Sequence, residues 1–533
     1  MLGGLLSVVL RGLGLATLAL SLGGSAFALL VLSGAPDRSP LADRALRRAL
    51  RLSLAGSAGV AVTQLLLLLL QLWTLKDGIG AWPLREFLST GFARAGLIRV
   101  CLGLSLGAAT WFLLHRGPSK GRWTVVVALA LSLGGSSAWL SHAIGRLEDR
   151  GLLMALDALH QVGAAVWVGG VMHLVAFWLL WRQSPDGPLA ATVFRRFSPL
   201  ALASVGAIVG AGTALSLSYV DGIDGLFGTG YGIMLLTKVS ILASALLLGG
   251  LNFLTVRRLA RRDQAPPARL WWFTEAEVGL GLTLLLAAAS LTSLPPARDV
   301  REDRATIGEV AGRFAPRLPR LATPKIDELL ASAAPLNDIL AVRQPEEYAW
   351  SEYNHHAAGL FVMTMGLLAW LERSGRARWA RHWPLLFLGL AGFLFVRNDP
   401  RAWPLGPAGF WESMLLPDVL QHRLSVALIV ALAIFEWLVR TGRLRAAGWA
   451  YVFPLLAAGG GALLLTHSHA MFNLKAEFLT EITHTPLGIL AVFTGWGRWL
   501  ELRLPPPENR LPGWVWTISL IILGALLLVY REG

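Results

Sequence analysis

The chain has almost no cysteine: one, Cys101, in 533 residues. A disulfide framework within it is excluded, and so is a cysteine-based metal motif. Acidic residues are scarce too, 33 against 47 lysines and arginines, and all charged residues together make up only 15%. Long polar stretches are rare, since 55% of the residues are hydrophobic and the mean hydropathy is +0.57. No soluble domain needs that much apolar surface. A Gly-rich, phosphate-cradling loop between a strand and a helix is also missing, so no nucleotide drive is written into the chain.

What is present is a succession of apolar runs, such as 60–72, 125–140 and 518–529. Windows of the length needed to cross hydrocarbon predict about fourteen spans. The fold class expected is all-α, a polytopic transmembrane helical bundle; a β-barrel would show weaker, alternating segments. Leu5–Leu32 reads as a retained first span and not as a cleaved signal. The net charge of +14 comes from arginines gathered in alternate loops, for example Arg44/Arg47/Arg48, Arg257/Arg258, Arg373/Arg376 and Arg440/Arg443, whereas 219–230 has no Lys or Arg. This is the positive-inside pattern, not a basic stripe for nucleic acid. It makes the basic loops cytoplasmic, and an even span count puts both termini outside, with the lipid bilayer as first partner.

One long gap, 297–353, is rich in Pro, Arg and Glu. It separates an eight-span unit, 1–296, from a six-span unit, 354–533. Stretches in the gap such as Lys325–Leu340 are amphipathic enough to lie along the membrane surface as helices. No internal repeat relates the two units. Tryptophans near span ends (Trp73, Trp82, Trp271, Trp272, Trp350, Trp403, Trp411, Trp514 and Trp516) read as an interfacial belt.

The histidines are one-sided. His142, His160, His355, His356, His422, His467, His469 and His484 all fall at or just inside span ends that face outward. Ionisable groups inside spans are usually functional, so this suggests a metal or haem site reached from the outer face. His115 and His382 read as ordinary surface residues.

In the first unit, span five carries His160 and Trp167 on one stripe. Asp157, one turn outward, is placed to hold the second ring nitrogen of His160. Gly163, Gly169 and Gly170 admit another helix or a flat ligand. Met172 and His173 lie deeper. Lys238 in span seven is expected to snorkel outward or to pair with Asp221 or Asp224, and Glu277 sits in span eight. A descending set of His142, His160, Met172 or His173, and Glu277 would suit a stepwise ion path.

In the second unit, Asp418 and His422 share a helix face at i,i+4, and Glu477, Glu481 and His484 share one at i,i+4,i+7. With His355, His356, His467 and His469 they bring imidazole and carboxylate to one level. Four helix ends could thus make a mouth of three or four imidazoles backed by carboxylates.

Residues 152–296 carry a further string of features: His160 with Trp167-Val168-Gly169-Gly170, then Arg196-Phe197-Ser198, Ala211-Gly212-Thr213, Tyr231-Gly232 and Lys238, and the acid Glu277. This string resembles the copper-resistance D (CopD) family of bacterial inner-membrane proteins. The resemblance implies copper import and resistance, no enzyme activity, copper as the bound ion, and a small periplasmic copper-binding protein as partner. No such partner is fused here, because 297–353 has neither the length nor any His or Met. The second unit resembles only loosely an extension seen on some such proteins. The histidine helix also resembles that of the membrane protoporphyrinogen oxidase family, so a b-type haem protein in electron transfer or oxidation stays open beside copper transport. So does a sensor that binds copper without moving it.

Overall fold

The computed structural model describes residues 2–33, 39–259, 268–332, 344–466 and 474–532. Its described elements are all helices; no strand occurs among them. The principal helices are α1 (Leu2–Ala26), α2 (Pro40–Ile79), α3 (Gly91–Arg116), α4 (Lys120–Gly135), α5 (Arg150–Trp181), α6 (Gly187–Tyr219), α7 (Gly230–Leu259) and α8 (Arg269–Leu291). After the gap follow α9 (Pro345–Arg373), α10 (Leu386–Arg397), α11 (Pro417–Arg440), α12 (Val452–Leu464), α13 (His484–Arg503) and α14 (Arg510–Leu528).

Twelve helical segments among the described residues are long and apolar enough to cross a membrane, so the chain is a multi-pass membrane protein. The sequence predicts about fourteen spans. The two outside the twelve, α9 and α13, do form helices, but polar residues dilute them: Asn354, His355 and His356 in α9, and Arg498 and Glu501 in α13.

Helix starts follow local chemistry. The Ser39 hydroxyl accepts the Ala42 N–H (3.2 Å) ahead of α2, Thr90 accepts that of Ala93 (3.1 Å) ahead of α3, and Asp186 accepts that of Leu189 (3.0 Å) ahead of α6. Each satisfies one donor that the first helical turn leaves open. Pro40, Pro345 and Pro417 open their helices, where a missing N–H costs nothing.

The chain divides into two compact units. One comprises residues 3–221 and 238–298. There α2 packs on α3, α5 on α6, and α8 on α5. A buried hydroxyl ladder joins α1 to α2, with Ser21 Oγ to Ser57 Oγ at 2.6 Å and Ser25 Oγ to Ser53 Oγ at 3.0 Å. Between α1 and α5, Gly169 lies so close to the Ala19 carbonyl and to Gly23 that no side chain fits. Such small-residue seats are how helices associate where no water drives them together. At the other end of α5, Trp271 lies stacked on Trp178 (4.7 Å, 11°) beside Phe194.

The second unit comprises residues 222–237 and 299–532 of the described chain. Here α9 packs on α14, and α13 lies between α12 and α14, around a core that includes Met365, Trp383, Phe453 and Trp516. Arg373, Arg440 and Arg498, read from sequence as loop charges, turn inward. Arg440 pairs with Glu372 and with Glu436 (2.6 Å), Arg498 with Glu501 (2.7 Å), and Arg373 with Glu501. Trp516 Nε1 donates to Glu501 (2.6 Å) and Trp383 Nε1 to Glu372 (3.2 Å). Three cations thus meet three carboxylates in a largely buried cluster, the condition under which such charges are tolerated inside a bundle.

The interfacial-belt reading of the tryptophans holds only in part. Trp73, Trp82 and Trp411 are exposed, but Trp271, Trp350 and Trp516 are buried, because each has aromatic or arginine neighbours from other helices.

In the gap, helices form at Ile307–Phe314 and Ile326–Ser332. The amphipathic stretch expected to 340 passes beyond the described residues after Ser332. The first of these helices opens with a capping box from Thr306 and Glu309, and Glu309 pairs with Lys475 (2.8 Å).

Two predictions follow from this packing. Gly169→Leu drives a side chain into the α1 backbone and is expected to destabilise the protein by about 3 kcal/mol, the upper end for overpacking, read as a lower thermal midpoint in detergent. The Lys475 ammonium, helped by the Thr306 N–H and hydroxyl, lowers the Glu309 carboxyl from its ordinary 4.5 to about 2. A depressed carboxyl stabilises above its ordinary value, and that contribution is lost as pH falls through the depressed one. Amide exchange of 307–314, corrected for the intrinsic effect of pH, should therefore accelerate between pH 4.5 and 2, and Glu309→Gln should remove that pH step.

Candidate metal site

In the first unit, α5 presents His160 part-buried against α6. Its Nδ1 lies 2.9 Å from the Ile208 carbonyl. A carbonyl can only accept, so Nδ1 carries the proton and Nε2 keeps its lone pair, the arrangement of a ligand-ready imidazole. Gly212 makes the room: a Cβ there would stand 2.9 Å from the ring. The orienting partner is therefore the Ile208 carbonyl, not Asp157 as the spacing predicts. The reason is tertiary, since α6 crosses α5 at this level.

Asp157 instead accepts from Gln161 Nε2 at 2.6 Å, with Ser141 and Lys238 as its other polar neighbours. Lys238 thus faces Asp157 and also acts on His160, in place of the expected pairing with Asp221 or Asp224. A cation beside the imidazole opposes a second one, and Asp157 offsets it.

His142 stands on a short turn beyond α4, its ring set edgewise to Tyr219 at 6.3 Å. His173 is 1% exposed; its Nδ1 donates to the Gly169 carbonyl (2.8 Å), while its Nε2 is buried close to Gly24 and the Ala49 backbone. Met172 is part-buried on the same helix. Trp167 and Glu277 are buried, and both line a separate cavity.

In the second unit, His355 Nδ1 donates to the Ser351 carbonyl (2.9 Å), and its ring stacks on Tyr530 at 3.8 Å. His484 stands edgewise to both rings at 5.5 Å. His422 and Glu532 act electrostatically on His355. His356 is spent on the backbone: it accepts the Arg320 N–H at Nδ1 (2.7 Å) and donates from Nε2 to the Tyr530 carbonyl (2.9 Å). It offers no lone pair to a ligand.

Glu477 and Glu481 belong to the helix Leu474–Glu481, which ends there; His484 starts α13. The shared face expected of the three is broken because Pro486 can only sit in the first turn of a new helix. His467 and His469 lie outside the described residues, as does the side chain of Asp418.

Among the described residues no three His, Cys, Asp or Glu side chains converge on a point where they could share a metal ion. The sequence missed Tyr530 and Glu532, which follow the last span and carry no motif. The glycine clefts are filled by protein: Gly163 by Ser204 and Ile208, Gly169 by α1, Gly170 by Phe197. With those seats taken and His356 engaged at both nitrogens, the described residues do not fit a porphyrin.

His356→Ala strands the part-buried Arg320 N–H and the buried Tyr530 carbonyl. It should cost about 2–4 kcal/mol, at about 1–3 per unsatisfied group. His355→Ala, which removes a ring contact, should cost less, and comparison of thermal midpoints checks the order.

Residues 191–291 match the family described as Copper resistance protein D. A relative described as copper transport protein CutJ, from Bacillus subtilis (strain 168), is 35% identical over 182 residues, 34% of this chain and 32% of the relative. The chain thus covers about a third of that relative's length. No solved structure matches it. Twelve candidate spans make the chain a multi-pass membrane protein, and its residues 191–291 are similar to the copper resistance protein D family.

Proposed function

We propose that this protein moves copper inward across a bacterial inner membrane, and that His160 is a ligand on the path. The observation that carries the reading is the tautomer. The Ile208 carbonyl holds Nδ1, so the Nε2 lone pair is left for a soft or borderline ion, and imidazole suits copper. The family match and the copper transport relative supply the cargo.

Asp157 and Lys238 act electrostatically on each other, and Lys238 acts on the imidazole. Asp157 attracts an arriving cation and Lys238 resists its staying, which suits a site that must bind and release. His142 lies on the short turn beyond α4, a place for first capture from the periplasmic side. A small periplasmic copper-binding protein is the partner this reading asks for. The transport role involves no covalent chemistry, and the protein is proposed not to be an enzyme.

Cells expressing His160→Ala should accumulate copper at least tenfold more slowly than wild type, at equal membrane abundance, by elemental analysis. His115→Ala, an exposed residue, should match wild type. Wild-type accumulation by His160→Ala would remove His160 from the path. Copper bound by purified protein without any cellular uptake would make this a sensor. A stoichiometric Soret band without copper would replace the cargo by haem.

A further inference from the structure

The gap between the two units contains a stretch that mixes cations with bare leucines. Residues 313–325 hold four cations, Arg313, Arg317, Arg320 and Lys325, and no Asp or Glu. Among them stand Leu318 and Leu321, 94% and 70% exposed. An apolar side chain left in water forgoes the gain of burial, so two leucines this bare call for a cover. Arg320 pairs with Glu352 (3.4 Å). Arg313, Arg317 and Lys325 carry no ion pair among the described residues. Of the acids on either side, Glu309 is engaged by Lys475, and Asp327 and Glu328 belong to the next helix.

Three hydrogen bonds fix this stretch at one end of its unit's helices. Arg531, three residues past α14, donates to the Gly312 carbonyl (2.6 Å). The Arg320 N–H donates to His356 of α9 (2.7 Å). Arg397, the last residue of α10, donates to the Thr323 hydroxyl (2.6 Å). The helices that end at Arg397 and Leu528 are both candidate membrane spans, so the stretch lies at the level where spans end and headgroups begin. At the same end, the connection from α10 to α11 exposes Trp411, a residue type that favours the bilayer interface. Pro316, Pro319 and Pro324 lack an N–H, so this irregular backbone has fewer donors to leave bare beside hydrocarbon.

We infer that residues 313–325 are a docking surface for anionic phospholipid, with Leu318 and Leu321 entering the boundary between headgroups and acyl chains and Arg313, Arg317 and Lys325 held by the lipid phosphates. Leucines alone would suit any bilayer. The unpaired cations select a negative one, as Lys and Arg clusters beside a span do. An acidic protein would satisfy the cations, but at span-end level the space around the bundle is already lipid. Such docking requires nothing of the copper path.

The test uses the full chain with Cys101→Ser and Ala322→Cys, labelled at residue 322 with a nitrobenzoxadiazole fluorophore. Ala322 is exposed beside Leu321, so the label displaces no packed side chain. Nanodiscs of phosphatidylcholine are compared with an equimolar mixture of phosphatidylcholine and phosphatidylglycerol, each with and without acyl-brominated lipid as quencher. Quenching should be at least about threefold greater with phosphatidylglycerol, and about 1 M salt, which screens charges beyond about 3 Å, should remove the difference. Arg317→Gln with Lys325→Gln, both at exposed positions, should bring quenching down to the phosphatidylcholine level. If the labelled chain misfolds, amide exchange of 313–325 in the wild-type chain replaces it, and should be at least about fivefold slower with phosphatidylglycerol. Equal quenching or equal exchange in the two lipids would leave a merely apolar contact and overturn the inference. Undiminished quenching in the Gln variant would overturn it as well. Absence of quenching in both lipids would put the stretch in water, open to an acidic protein, and would also overturn it.

Discussion

A polar group carried into hydrocarbon finds no water, so it must find its partner in the protein. Most of what is distinctive in this molecule obeys that constraint. The serine ladder between α1 and α2 and the backbone bonds of His356 are each a closed set of donors and acceptors. In such sets the geometry is over-determined and the side chain has no freedom left for chemistry.

Function is then to be looked for where the set is incomplete. His160 spends one nitrogen and keeps the other. Asn252 spends its nitrogen and keeps its oxygen. The first leaves a lone pair in the field of Asp157 and Lys238, which suits a passing metal ion. The second leaves a buried acceptor beside Glu277. His173 shows that an idle atom alone is not a site. Its Nε2 is buried close to Gly24 and the Ala49 backbone, with no surface open to a ligand.

The same constraint bears on the second unit. Histidines at one depth suggest a shared ligand, yet here the depth arises in several ways. His356 ties the α14 exit to the gap segment, and His355 stacks on Tyr530. Helix ends are where the backbone lacks partners, so imidazoles collect there to serve it as well as to bind metals. Spacing along one helix does not distinguish the two uses.

Read alone, the amino-acid order determined the class of the molecule. Apolar runs long enough to cross a bilayer and arginines in alternate loops follow from solvation, a local property, and they place helices without knowledge of their neighbours. His160 was also legible as a candidate, because a histidine in an apolar span beside small residues is a local anomaly. Its orienting partner was not. Asp157 is the neighbour in sequence, Ile208 the neighbour in space, and only the crossing of α5 and α6 decides between them. The same holds for the inward turn of Arg373, Arg440 and Arg498, for the break before His484, and for the cavity at Asn252. Each depends on which groups from distant segments come within hydrogen-bonding reach, and such distances are properties of packing, which no single segment contains.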